Sequence, residues 1–347
     1  MNNADSPNEP RPARKVTAAM VATHAGVSTA TVSLVANGKS AGRVSKRNEE
    51  RVREAIRELG YYVDSIGSSL ARGVSSLVIL VAPDISNPFF AKLIAGVRGV
   101  LGEDYQLLLS VTDAGLSPSA TEIRRLLGLR PAGLLVHAPT PLFLSELSSP
   151  LPLIALDAPD APENIPSVNF DVLQGAHDVA AHLAAQGHRK VGYLDATTGT
   201  ATLRMRREAF LSAATQLGMQ VPAVAVSSST IEMGDAAATF ATHWDVWKES
   251  GITALACATD THAYGVLQAA STTGVRVPQD LAVTGFDDLP FSTASHPSLT
   301  SVRLDAHSVG VQAAQALRQL IDGTPLKESK LQLSSQLMVR ASSGGTQ

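Results

Sequence analysis

Residues 22–37, ATHAGVSTATVSLVAN, read as two short helices broken by a tight turn. Val21 and Ala22 close a first helix that Thr17 could cap. Gly26 permits a sharp reversal that a residue with a Cβ would resist. Ser28 stands at the N-cap of the second helix, where its oxygen can accept an orphan backbone N–H. Val27, Val32 and Val35 give that helix an inward face, and Thr29, Ala30, Ser33 and Leu34 look outward. A glycine turn between two short helices, with small polar residues heading the second, is what a helix-turn-helix needs to enter a DNA major groove. The same residues would also serve as an ordinary helical hairpin in a small core, so alone they leave both readings open.

The flanks shift the balance. A third amphipathic helix is predicted over residues 45–59, with Val52, Ile56 and Leu59 inward and Lys46, Arg47, Arg51, Arg53 and Arg57 outward. Gly60-Tyr-Tyr-Val-Asp64 follows, then a run ending Ser69-Leu-Ala-Arg-Gly73. In this order the chain resembles the headpiece of the lactose-repressor (LacI) family of bacterial transcription factors. The matching residues are Val21-Ala22, Ala25-Gly26-Val27-Ser28, Thr31-Val32-Ser33, Asn37, Val44-Ser45, Leu59-Gly60-Tyr61 and Leu70-Ala71. The likeness continues to the carboxyl end and covers nearly the whole chain.

That resemblance implies a second helix lying in the major groove, with Thr29, Ala30 and Leu34 facing base edges. Ser28, Thr31, Ser33 and Asn37 would hold phosphates, which position the domain without reading sequence. Thr17, at the head of the first helix, joins the DNA-binding set. Leu34 departs from the pattern: many relatives place an arginine there. Arginine grips guanine bidentately, whereas leucine offers only apolar contact, for example to a thymine methyl. A different operator preference is therefore expected. Met20 replaces a usual acidic residue, and the turn of residues 38–43 is longer than the commonest form. In residues 64–75, the family's hinge, Leu70 matches the leucine that wedges into the minor groove and kinks the DNA. Gly67 there replaces a typical alanine and Asp64 a typical asparagine. A mid-helix glycine costs roughly 1 kcal/mol relative to alanine, so a hinge less helical off DNA is expected. Residues 1–14, with Pro7, Pro10 and Pro12, read as a disordered arm.

A chain of 347 residues suggests two or three domains. The longest apolar run, residues 77–82, is strand-sized, far short of a membrane span. No apolar segment opens the chain, so no secretory signal is read, and a cytoplasmic, nucleoid-associated protein is expected. The single cysteine, Cys257, lies in an apolar run and reads as a buried thiol. The net charge of −3 conceals an asymmetry. Residues 1–73 hold 11 Lys/Arg against 7 Asp/Glu, and the remainder 17 against 24. A basic leader on an acidic body suits a domain that meets phosphates, although a chance excess on a solvated face would look the same.

From Ser76 onward, short apolar runs alternate with helical stretches. They fall at residues 77–82, 107–111, 133–136, 153–156, 191–194, 254–258 and 281–286. Such spacing means parallel sheets in βαβ units, too many for one sheet, so two doubly wound lobes are expected. Carboxylates follow several runs: Asp84, Asp113, Asp157, Asp195, Asp260 and Asp287. Ligands in such folds bind beyond the carboxyl ends of the strands, so facing lobes would share a polar cleft. The fold class is thus α/β: a three-helix headpiece over residues 15–63, then a bilobed body over 76–347 like a periplasmic sugar-binding protein. The resemblance places the N-lobe at about 76–186 and 305–333, the C-lobe at about 187–304 and 334–347, and a last strand at 331–340.

Effector-contacting candidates are Phe89, Phe90, Arg206, Thr259 and Asp287. One of the two phenylalanines should stack on a ligand face and the other pack in the core. Arg206 offers a donor fork, with a surface ion pair as the alternative. An ionised Asp287 can hold two hydroxyls. Thr259 stands where many relatives carry asparagine, which removes one amide donor. Asp260 and Asp288 read as caps, while Asp84, Asp171 and Met233 are divided between cleft and structural roles. There is no nucleotide loop, no nucleophile elbow and no His-Glu-x-x-His, and His177, His182 and His188 lack metal spacing. No enzyme activity, cofactor or metal is therefore expected. No heptad run follows Arg340, which argues against a coiled-coil tetramer tail. The expectation is a transcriptional repressor, binding a pseudo-palindromic operator as a homodimer under control of a sugar or sugar-derived effector. A solute-binding receptor and a nucleotide-using enzyme are the rivals. The basic headpiece opposes the first, and the absent phosphate loop opposes the second.

Overall fold

The computed structural model describes residues 16–62, 75–112, 118–147 and 151–344. The arm, Leu70 and nearly all of the hinge (Asp64 and Gly67 included), and Asp113 lie outside the described residues. The chain forms two compact units, residues 1–75 and 76–347.

The first unit holds α1 (Ala18–Ala25), α2 (Thr29–Ala36) and α3 (Lys46–Leu59). Each begins on a hydroxyl cap: Thr17, Ser28 and Ser45 accept the N–H groups of Met20, Thr31 and Asn48. Gly26 ends α1 at φ 61°, ψ 43°, the left-handed conformation that glycine adopts without a Cβ penalty. Val21, Ala22, Ala25, Val32, Val35, Val52 and Ala55 form the core. Ile56 and Leu59 are half-buried at its rim, so Ala55 takes the inner place on α3 beside Val52. Positions 52, 55, 56 and 59 still make one helical stripe. Asn37 is tied back to α2, its amide donating to Ser33 O at 2.7 Å.

The second unit is built on two six-stranded sheets. The N-lobe sheet runs β11-β5-β4-β3-β1-β2 and the C-lobe sheet β12-β10-β9-β8-β6-β7. In the N-lobe the strands are β1 (Leu77–Ala82), β2 (Gln106–Val111), β3 (Gly133–His137), β4 (Leu153–Leu156), β5 (Ser167–Phe170) and β11 (Lys330–Leu333). In the C-lobe they are β6 (Val191–Ala196), β7 (Val226–Ser229), β8 (Ala254–Cys257), β9 (Ala282–Asp287), β10 (Thr300–Arg303) and β12 (Gln336–Met338). Among the described strands only β12, on the edge, pairs antiparallel. The helices used below are α4 (Pro88–Leu101), α7 (Val172–Ala185), α8 (Ala201–Gln216), α9 (Met233–Glu249), α10 (Asp260–Thr273) and α11 (Ala306–Ile321); α5 (Ala120–Gly128) and α6 (Pro141–Glu146) complete the N-lobe. Helices α4 and α11 touch through glycines: a Cβ on Gly96 would stand 2.2 Å from His307 O, and one on Gly310 2.2 Å from Leu93 O.

Two features depart from the sequence reading. The chain leaves the N-lobe at Asp171, not near residue 186. Strand β5 belongs to the N-lobe sheet, but α7 packs on the C-lobe, where Gly175 fits against Phe286 and Val302 with no room for a Cβ. Residues 331–340 are not one strand either. The chain breaks at Ser334-Ser335 and contributes β11 to one sheet and β12 to the other. The remaining crossing falls between β10 and α11, since α11 packs against α4. Among the described residues no single helix is long and apolar enough to cross a membrane.

Candidate functional site

Two surfaces carry chemistry, one in each unit. In the headpiece, Thr29, Ala30 and Ser33 are exposed on one side of α2, while Leu34 and Thr31 are half-buried. The Ser28 hydroxyl lies 3.0 Å from that of Thr31 and also caps the helix, so both sit at its amino end. The charge of the headpiece is uneven. Arg53 and Arg57 pair with Glu49 and Glu54 on their own helix. Among the described residues Lys39, Arg43, Lys46, Arg47 and Arg51 have no carboxylate partner, which leaves their charge available to an anion.

In the body, a cavity of about 150 Å³ opens between the lobes. Four of its walls end strands: Val81 and Ala82 on β1, His137 on β3, Asp157 after β4 and Asp287 on β9. Helix α4 supplies Phe89 and Phe90, α8 supplies Leu203 and Arg206, and Thr198, Thr200 and Thr259 complete the polar wall. All five predicted effector contacts, Phe89, Phe90, Arg206, Thr259 and Asp287, therefore face one cavity. Asn87 caps α4 and presents the aromatic pair at its first turn. Phe90 is buried and Phe89 half-buried, their centroids 5.4 Å apart edge to face.

The charges in the cavity are held tightly. Arg206, 6% exposed, donates from Nη1 to Ala258 O at 3.0 Å and to Asp287 Oδ1 at 3.2 Å. Its guanidinium carbon lies 4.1 Å from the centre of the Phe286 ring, within cation–π range. Its Nε has no partner. Burial pushes the Asp287 carboxyl up to about 7, against the opposing pull of Arg206, and nearby Asp260 adds to the rise. On the opposite lobe, Asp157 accepts the Thr202 hydroxyl at 2.8 Å. This bond joins β4 of one lobe to α8 of the other. His137 Nε2 lies 3.6 Å from Asp157 Oδ2, and Nδ1 is buried without a partner. Burial holds that imidazole below its ordinary value, Asp157 pulls the other way, and Arg206 reinforces the fall.

Among the described residues, three of the five non-glycine ones at positive φ line this cavity: Ala138 at 43°, Asp157 at 51° and Asp287 at 118°. Each such conformation costs of order 1–3 kcal/mol. Among the described residues, three of the four buried polar side-chain atoms without a partner belong to residues of its wall: His137 Nδ1, Thr198 Oγ1 and Arg206 Nε. Strain and unmet hydrogen bonding collect in one place, as they do where a ligand completes a structure.

Other sequence candidates take structural roles. The Thr259 hydroxyl accepts the His262 N–H and lies 2.8 Å from His262 Nδ1, so it caps α10 while forming part of the wall. Asp260 is no cap: fully buried, it receives Leu289 N–H, the Ser292 hydroxyl and the Ser301 hydroxyl, and so anchors residues 288–301. Asp288 bridges Arg303 at 2.8 Å and Arg340 at 2.6 Å. Asp84 holds its own loop through Ser86, and Asp171 caps α7. Met233 is half exposed at the start of α9, neither core nor cavity wall. Asp195 pairs with Arg207 at 2.8 Å. Cys257 is a buried free thiol. The sequence reading missed His137, Thr198 and Thr202. A histidine directly after an apolar strand run was the signal available for the first.

Residues 19–64 match the family described as "Bacterial regulatory proteins, lacI family", and residues 180–343 match the "Periplasmic binding protein-like domain". The ribose operon repressor of Halalkalibacterium halodurans (strain ATCC BAA-125 / DSM 18197 / FERM 7344 / JCM 9153 / C-125) is 32% identical over 330 residues, spanning 94% of this chain and 96% of that protein. Among solved structures, a complex of the transcriptional regulator CelR with cellobiose is 27% identical, with a TM-score of 0.70, over 94% of this chain and all of its own. The lac repressor dimer bound to operator and the anti-inducer ONPF is 24% identical, with a TM-score of 0.79, over 95% of this chain and 99% of its own, a likeness of fold.

Proposed function

Since the chain belongs to the LacI family of bacterial regulatory proteins, we propose that it is a transcriptional repressor whose grip on a pseudo-palindromic operator is set by a small effector in the cleft. The observation that carries this reading is the free face of α2. Its caps and inner valines are satisfied within the headpiece, while Thr29, Ala30 and Ser33 stay exposed, and among the described residues five Lys and Arg side chains of the same headpiece have no carboxylate partner. An exposed two-turn helix among uncompensated cations fits the major groove between two phosphate rows. Ser28, Thr31, Asn37 and Thr17 take the phosphate side, and Leu34 reads a thymine methyl. Leu70 acts as the minor-groove wedge. Two headpieces reading inverted half-sites about 34–36 Å apart make the working form a homodimer, and its place is the cytoplasm, on the nucleoid.

The cleft takes the effector, a sugar or sugar derivative. Arg206 and Asp287 supply donors and acceptors, and Phe89 supplies an apolar face. Coupling between effector and operator is reciprocal, so operator DNA shifts effector affinity by the same factor. Selection of duplexes from a random library by the full chain tests the reading. Enrichment of an inverted repeat is expected, with the logarithm of the affinity falling linearly in log salt. Recovery of no inverted repeat overturns it.

A further inference from the structure

The core of the C-lobe holds a threonine that its sheet does not explain. Thr284, 1% exposed in the middle of β9, has a hydroxyl with no partner among the described residues. Register sets Thr284 against Thr300 of β10 on one side and Ala256 of β8 on the other, and sets Ala256 against Tyr193 of β6. Paired residues point to the same face, so these four form a row across the sheet. The Thr300 hydroxyl is fully used. It donates to Arg340 O and accepts the Arg340 N–H and the Ser343 hydroxyl. Thr284, next in the row, has none of this. Valine has the same shape and would avoid a buried, unpaired hydroxyl, which is costly.

Beside Thr284 the row is too small to fill its layer. Ala256 stands between it and the large Tyr193, and a cavity of about 10 Å³ remains between this face of the sheet and helices α7 and α8. Every residue of its wall is buried, Ala176 and Val179 of α7 and Arg206 and Phe210 of α8 among them. That is about the least space that admits a single water. Cavities that stay dry are lined by apolar groups. This one is bordered by residues carrying two buried polar atoms without partners, Thr284 Oγ1 and Arg206 Nε. The two are neighbours along β9. Nε is bonded to the carbon that lies 4.1 Å from the centre of the Phe286 ring. Thr284 is two residues back on the same face, roughly 7 Å along the strand. A bridging water suits that spacing.

We propose that this cavity is a binding site for one ordered water, which accepts the Arg206 Nε–H and shares a hydrogen bond with the Thr284 hydroxyl. The site does not depend on what the cleft between the lobes binds. It completes the hold on Arg206. Nη1 reaches Ala258 O and Asp287 at the end of β9, and the Phe286 ring supports the face of the guanidinium. The water ties Nε to the same strand further back. Arg206 therefore enters the cleft wall already oriented, and part of that orientation comes from Thr284, which is not in the wall itself.

The test is a crystal structure of the full-length protein at a resolution that shows ordered water, with thermal unfolding of two variants. In the wild type, one density peak within hydrogen-bond distance of both Thr284 Oγ1 and Arg206 Nε is expected. Thr284→Val keeps the shape, removes the hydroxyl and leaves Arg206 Nε unpaired. It is expected to lose the peak and to lower the melting temperature by roughly 2–8 °C. Thr284→Ser keeps the hydroxyl and is expected to keep the peak, which controls for misfolding of the valine variant. The sign of the thermal shift decides between the two accounts of Thr284. Were its hydroxyl an orphan in a dry core, valine would relieve it and the protein would melt at a higher temperature. A wild-type structure without the peak, a peak that persists unchanged in T284V, or a T284V protein that melts at or above the wild type overturns the proposal.

Discussion

Substituting Thr202 by valine removes a single hydroxyl at a 1% exposed position and keeps the side-chain volume. That hydroxyl donates to Asp157 Oδ1 at 2.8 Å, from helix α8 of one lobe to the end of β4 of the other. The bond exists only while the lobes are together. Hydrogen bonds to charged groups contribute about 1.5–3 kcal/mol, so the variant should shift the balance toward open lobes on the order of 10- to 100-fold. Asp157 is best replaced by glycine, which removes the acceptor and adopts a φ of 51° without strain. A cycle of wild type, T202V, D157G and the double variant, read by urea unfolding of the full chain, should return a coupling energy of about 1.5–3 kcal/mol. Small-angle scattering should show a larger radius for T202V without ligand. A coupling energy below about 0.5 kcal/mol, the usual error of additivity, together with an unchanged radius, would refute the assignment of this bond as a tie between lobes.

The remaining predictions concern packing, protons and base reading. Gly310→Ala forces α4 and α11 apart, because the new Cβ would lie 2.2 Å from Leu93 O. Overpacking of about 1–3 kcal/mol should lower the melting temperature by roughly 2–10 °C. Gly99→Ala on α4, with nothing within 4 Å, should not lower it, and equal losses in the two variants would contradict the packing argument. Asp287 has a folded value of about 7 against an ordinary 3.8, so the folded state holds its proton more tightly than the unfolded chain. Its stabilising contribution is full below about pH 4 and is lost as pH rises through 7. Asp287→Asn should therefore gain melting temperature relative to wild type as pH goes from 4 to 8, and a difference that stays flat would refute the burial of this carboxyl. Leu34→Arg should move operator selection toward guanine at one position in each half-site, with discrimination of about 1–3 kcal/mol. Unchanged selection would mean that residue 34 does not face a base.

Which parts of the fold were legible depends on where polarity was needed. The apolar runs behind β1, β3, β4, β6, β8 and β9 are buried on both faces, and such strands declare themselves as continuous hydrophobic stretches. Strand β10, TSVR, is just as central, but Thr300 and Ser301 are polar for a reason elsewhere in the chain. Thr300 donates to Arg340 O and Ser301 to Asp260, partners about 40 residues away. Edge strands β7 (VSSS) and β12 (QLM) have too little apolar length to stand out. In the cleft, Arg206 and Asp287 were readable from the family's landmarks, whereas for His137 the apolar run before it gave a place but no partner. Its partner Asp157 is twenty residues further on, and they meet because β3 pairs with β4 in a register that sets His137 against Leu156. Strand order is a product of the whole sheet, and nothing local to residues 133–137 encodes it. The early boundary at Asp171 was hidden for a similar reason, since α7 follows an N-lobe strand in sequence and packs on the other lobe.

That displaced helix marks one of three places where the chain passes between lobes. Asp171 and Asp305 both stand where the chain changes lobe, and both cap the next helix, accepting the N–H of Gln174 and of Ser308. Their backbones are nearly the same, φ −76°, ψ 78° and φ −79°, ψ 80°, close to an inverse γ-turn. One crossing runs from an N-lobe strand into a C-lobe helix and the other does the reverse, so each lobe carries a helix fed from its neighbour. The third crossing is tied to the first, because Ser335 donates to Asp171 O at 2.8 Å. A rotation of one lobe against the other must be absorbed at these positions, where a few dihedral angles change while both sheets and their helices stay intact. The N-lobe also begins at β1, directly after the hinge in sequence. In the proposed function, a ligand touching Asp157 on one lobe and Arg206 and Asp287 on the other would act on the angle between the lobes, through these three crossings.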